Sequence, residues 1–144
     1  PADRIELAGI ESYDYPVYPA ERAVADKACG IVERHSGRPS SRVKDLVDIV
    51  VYARNVAFGF DTLSAALKTE FSVRKLASSR TFSTPPEWGD AQARQYRRLA
   101  EQTGTPNHFH DIRNAETLAK KLIEPCLSDR TDLSVWSTKT LTWE

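Results

Sequence analysis

The sequence predicts a mainly α, α+β chain of about five helices, with short strands at the N- and C-terminal ends. Three observations carry this. Apolar residues recur at helical spacing in five separate stretches. Clusters of Gly, Pro, Ser and Thr punctuate those stretches. Period-two alternation occurs only near the two ends. The 144 residues are read as one domain, 1–144, with 1–18 as an extended segment.

Taken in order, Arg4-Ile5-Glu6-Leu7 alternates polar and apolar, and Pro16 and Pro19 confine the stretch after it to an edge strand or loop. A first helix is expected over 19–35, with Val24, Ala28, Ile31 and Val32 as its apolar stripe and Gly37 as its C-terminal cap. Ser40 or Ser41 is expected to cap a second helix over 41–57, buried through Val43, Leu46, Val47 and Val50. Phe58-Gly59-Phe60 stops it, and Asp61 is expected to cap a third helix that stacks Leu63, Leu67 and Phe71. Residues 77–86 read as a loop and 87–103 as a fourth helix. Asn114 is expected to cap a fifth helix, with Leu118, Leu122, Ile123 and Cys126 inward. Leu133 to Trp143 reads as a strand or extended clasp.

Twenty basic and twenty acidic residues cancel, which argues against gripping nucleic acid by bulk charge and leaves room for a local basic patch. Cys29 and Cys126 make neither a disulfide framework nor a metal-ligand spacing, and Cys29 sits in an apolar helical pattern, so a reducing, cytoplasmic setting is expected. No stretch approaches the roughly 20 apolar residues of a membrane span, and no signal peptide is visible.

The chemistry-bearing residues gather between Ala25 and Asp48. On the wheel of the second helix, Lys44, Asp45, Asp48 and Tyr52 lie opposite the apolar stripe. Lys44 and Asp48 are four residues apart and can pair; the alternative is a solvated face carrying a weak ion pair. Arg34, His35, Arg38, Arg42 and Lys44 lead into that helix with no acidic residue among them. Free backbone N–H groups and the positive dipole end there attract phosphate, and Arg38 and Arg42 can clamp its oxygens with Ser41 beside them. Lys27 shares a flank of the first helix with Ala23 and Gly30, whose small side chains let a ligand or another chain approach.

Tyr18-Pro19-Ala20-Glu21, Ala25-Asp26-Lys27-Ala28 and Ser41-Arg42-Val43-Lys44-Asp45-Leu46-Val47-Asp48 together resemble the AbiEii/AbiGii family of nucleotidyltransferase-like toxins, of type IV toxin–antitoxin and phage-defence (abortive infection) systems. The resemblance implies the helical C-terminal half of a polymerase-β-like nucleotidyltransferase that transfers a nucleotide to an acceptor, RNA and in several members tRNA. It implies Lys27 on the nucleotide phosphates, Asp48 or Asp45 assisting the chemistry, and Arg42 and Lys44 at the basic positions of the last motif. Nucleoside triphosphate and Mg2+ are the implied cofactors, and a cognate antitoxin the implied protein partner.

The metal-binding part of that pattern has no counterpart here. A Gly-Ser strand–turn and paired carboxylates should hold two magnesium ions, yet none of the six glycines is followed by Ser. The expectation is a fragment or a truncated relative that lacks the N-terminal half of its fold, binds no metal and is inactive alone. Residues 1–18 are then expected to complete the sheet of that absent half. Two other readings stay open. One is a helical interaction module for an antitoxin or another partner, without catalysis. The other is a DNA-binding helix-turn-helix made of the second and third helices, against which the zero net charge and the Asp45/Asp48 face argue. His108 and His110 suggest a metal pair only if a third ligand exists, and none stands out. Arg94, Arg97 and Arg98 read as an RNA-backbone contact or a solvated face.

Overall fold

The computed structural model describes residues 19–144. Within them the chain is mainly helical, as its apolar periodicity predicts: α1 (Ala20–Val32), α2 (Val43–Asn55), α3 (Phe60–Val73), α4 (Asp90–Glu101) and α5 (Ile112–Ile123). A two-stranded antiparallel ribbon, β1 (Trp136–Ser137) and β2 (Thr142–Trp143), follows, pairing Trp136 with Trp143. The extended segment expected over 3–18 lies outside the described residues.

Helix α2 is the centre. It packs against α1 on one side and α4 and α5 on the other, while α3 covers α1. Val43, Leu46, Val47 and Val50 are buried as the stripe requires, and so are Ile49, Val51 and Ala53. A helix wrapped on several sides has no solvated face to spare, so Asp45 and Asp48 are buried too, at 7% and 3% exposure. This overturns the solvated-face reading of that helix.

Helix boundaries differ from the sequence expectation at the caps. α1 ends at Val32, because Glu33 is already extended, and the chain then folds into the polar turn His35–Arg38. Gly37 has φ +76° inside that turn and does not cap the helix. Neither Ser40 nor Ser41 is the N-cap of α2. Arg42 holds that position, and its amide donates to Ser40 Oγ at 3.0 Å. Gly59, not Asp61, precedes α3. Asp111, not Asn114, caps α5, its carboxylate accepting from the amides of Arg113 (2.8 Å) and Asn114 (3.4 Å).

The loop before α4 is tied down by the ends of half-buried polar side chains. Phe82 is fully buried, and its amide and carbonyl are taken by Glu124 and Lys120, each at 2.9 Å. Glu116 accepts from the Thr84 amide and hydroxyl, and Trp88 Nε1 donates to the Ser40 carbonyl at 2.7 Å. The C-terminal clasp closes the opposite end. Trp136 is fully buried and donates from Nε1 to the Ala53 carbonyl at 2.7 Å, satisfying an end carbonyl of α2. Trp143 stands edge-on to Phe60 with centroids 5.1 Å apart and donates to the Leu122 carbonyl.

Candidate active site

Lys27 sits midway along α1 and points at α2. Its Nζ donates to Asp48 Oδ2 at 2.9 Å and lies 3.7 Å from Asp45 Oδ1. The side chains are 12%, 4% and 10% exposed respectively, so this is a buried charge cluster and not a surface pair. Two further cations close it from the solvent side. Lys44 reaches both oxygens of Asp48 at 3.2 Å, one helical turn away. Arg42 pairs through Nε with Asp45 Oδ2, a contact outside hydrogen-bond angles although the ions touch. Arg42 also lies 3.5 Å from Asp26.

The spacing explains the arrangement. Asp45 and Asp48 are three residues apart, so their carboxylates rise from one flank of α2. Ala23, Ala28 and Gly30 keep the facing surface of α1 low. Gly30 has a particular task. A Cβ there would lie 2.5 Å from Arg42 Cζ, so only glycine lets the guanidinium lie against the helix backbone. The small-residue flank expected to admit a ligand is, at Gly30, filled by Arg42.

Burial pushes the Asp45 carboxyl above its ordinary pKa, and Lys27 and Arg42 only partly offset that.

One member of the network left no signal in the sequence. Arg74, just beyond the end of α3, pairs with Asp26, with Glu33 at 3.3 Å and with Glu70 at 2.8 Å. Through Asp26 and Arg42 the charge chain runs unbroken from α3 across α1 to α2. No local pattern could reveal a partner 48 residues distant.

The remaining basic residues are less gathered. Arg38 and Ser41 are exposed in the connection before α2, and neither touches the lysine–carboxylate cluster. The first-turn amides of α2 are partly engaged, Val43 N with Ser41 O and Asp45 N with Arg42 O. His110 is buried with Nε2 on the Thr105 carbonyl, and His108 stacks edge-on with Phe109. Among the described residues no group of three His, Cys, Asp or Glu side chains converges as metal ligands do. Asp45 and Asp48 both face cations. With Lys27 and Arg42 seated on its carboxylates, this cluster does not fit the two magnesium ions of a nucleotidyltransferase. Both cysteines are buried thiols, Cys29 pushed up to about 12 and Cys126 to about 11 by desolvation. No helix among the described residues is long and apolar enough to cross a membrane.

The site is thus a lysine fixed between two buried carboxylates and rimmed by Arg42 and Lys44 on a helical chain. The family model of the nucleotidyl transferase AbiEii toxin, type IV TA system, matches residues 2–123, and the chain belongs to that family. No curated protein and no solved structure matches the chain.

Proposed function

We propose that this chain supplies the helical, phosphate-facing side of a nucleotide-transfer site in a toxin that modifies RNA, tRNA being the favoured acceptor. The observation that carries the reading is the Lys27–Asp48–Asp45 cluster, built from the segments that resemble the family. In such a transfer an acceptor hydroxyl oxygen bonds to the α-phosphorus of a nucleoside triphosphate. The bond to the bridging oxygen breaks, pyrophosphate leaves, and the hydroxyl proton passes to a base. Little covalent work falls to the protein; positioning and charge neutralisation dominate.

Lys27, held in place by Asp48, provides a compact cation for the phosphates. Arg42 and Lys44, about half exposed, are the accessible cations above it. Arg38 and Ser41, exposed in the connection before α2, are further candidates for phosphate contact. Asp45 is the better candidate base, since burial raises its proton affinity, and Asp48 is the better orienter. Metal chemistry belongs to a Gly-Ser strand–turn and carboxylate pair that these 144 residues do not carry. On this reading the chain works with an N-terminal catalytic half, and its partners are nucleoside triphosphate, acceptor RNA and a cognate antitoxin.

The test is induced expression of the intact toxin carrying Lys27→Ala or Lys27→Arg in a host without antitoxin. Growth arrest lost in the first variant, with folding checked by circular dichroism, supports the active-site role. Arrest retained by folded Lys27→Ala favours the interaction-module reading.

A further inference from the structure

A second basic feature lies away from the lysine cluster. Arg94 and Arg97, one turn apart on α4, face Arg113 at the start of α5 across a cleft of about 280 Å3. All three side chains are exposed, and none makes an ion pair or hydrogen bond with another described residue. Asp90 and Asp111 line the same cleft, and neither is in an ion pair with a guanidinium. Asp111 accepts the first-turn amides of α5, and Glu116 accepts from Thr84. Asp90 opens α4, where the helix dipole offsets its charge. The cleft therefore sets three guanidinium groups, none in an ion pair, beside two carboxylates that keep their charge, an excess of one positive charge.

The cleft continues into a second, of about 330 Å3, which shares Asp90, Ala93, Ile112 and Arg113 and adds Trp88 to its wall. The indole is half-buried and fixed by its hydrogen bond to Ser40, so its ring is a rigid surface. Ser40 belongs to the basic connection that enters α2. Cations spaced along a groove with an aromatic face at one end are what a single strand needs: phosphates pair with the first and a base stacks on the second.

We propose that this groove between α4 and α5, with Arg94, Arg97, Arg113 and Trp88, binds a single-stranded segment of RNA. It deepens the preceding section, because it rests on RNA being the acceptor and adds where that RNA lies. A zero net charge over the whole chain is compatible with it, since the charge is local.

Binding is read without catalysis, by fluorescence anisotropy of a labelled 12-nucleotide single-stranded RNA on the purified chain. Each single-strand phosphate contact releases about 0.7 counterion, so three arginines contribute roughly 100-fold at about 0.1 M salt and a salt slope of about 2. The triple variant Arg94→Gln/Arg97→Gln/Arg113→Gln should lose both. Lys68→Gln/Lys75→Gln/Lys139→Gln makes the same charge change elsewhere and should keep most of the affinity. Trp88→Ala should weaken binding about tenfold, and Trp88→Phe should restore most of it. The proposal is overturned if the wild-type chain binds no RNA, or if both triple variants weaken it equally. It also fails if duplex RNA binds as well as single strands, or if Trp88→Phe is as weak as Trp88→Ala. RNA binding that survives here while Lys27→Ala still arrests growth would sink the transfer reading and leave the groove standing.

Discussion

Replacing Lys27 with Met keeps the apolar stem of the side chain and removes the ammonium, with its charge and its hydrogen bond to Asp48. Its ammonium lies 2.9 Å from Asp48 and 3.7 Å from Asp45, among groups no more than 12% exposed. Removing one partner of a buried pair costs about 3–5 kcal/mol when the other is left alone. Here neither carboxylate is left alone, since Lys44 still reaches Asp48 and Arg42 still touches Asp45, both from the solvent side. A cost of about 2–3 kcal/mol follows. The comparison is Lys44→Met, whose side chain is 58% exposed and whose loss should cost about 0.5 kcal/mol. The pH dependence adds a sign. Burial raises the Asp45 pKa, so the folded chain binds that proton more tightly than the unfolded one. Ionised Asp45 therefore lowers stability near neutrality, and the loss is recovered as pH falls through the raised pKa. Lys27 is one of the cations that hold this pKa down, so Lys27→Met drives it further up. Its penalty should shrink as pH falls. Urea unfolding followed by circular dichroism at several pH values measures this. A penalty equal to that of Lys44→Met, or one that stays flat with pH, refutes the buried-cluster account.

Two further outcomes follow from the packing. Gly30→Ala gains about 0.5–1 kcal/mol of helix propensity but forces the Arg42 guanidinium away from α1. Alanine should thus stabilise the Arg42→Ala background and not the wild type, and equal effects in the two urea series would show that Arg42 does not lie on Gly30. Trp136→Ala removes a fully buried indole and its bond to the Ala53 carbonyl, at a cost of about 3–5 kcal/mol in thermal or urea unfolding; a cost under 1 kcal/mol would mean that the C-terminal clasp is dispensable.

The apolar periods made the five helices legible, because Val24/Ala28/Ile31 and Leu63/Leu67/Phe71 are buried where a 3.6-residue repeat puts them. Caps were less legible. Asp111 and Asn114 are both plausible N-caps, and only the chain's path into α5 decides between them. The wheel of α2 separated Asp45 and Asp48 from the apolar stripe correctly but could not say that α1 would cover them. Polarity marks a face as needing partners, and whether water or Lys27 supplies them is a tertiary matter. The i, i+4 pair of Lys44 with Asp48 was visible because it is local. Arg74 and the contact of Arg42 with Gly30 were not, because both depend on how α1 packs against its neighbours.

The most direct measurement of the central claim is transfer of α-labelled nucleotide to tRNA by the intact toxin carrying Asp48→Asn. The substitution is isosteric and keeps Lys27 and Lys44 in the chain while removing the charge that orients both. A misdirected electrostatic group typically costs about 100- to 1,000-fold in rate. The account predicts a loss of that size in a protein that still unfolds cooperatively. Transfer at the wild-type rate by folded Asp48→Asn would contradict it and leave the cluster as a structural device between α1 and α2.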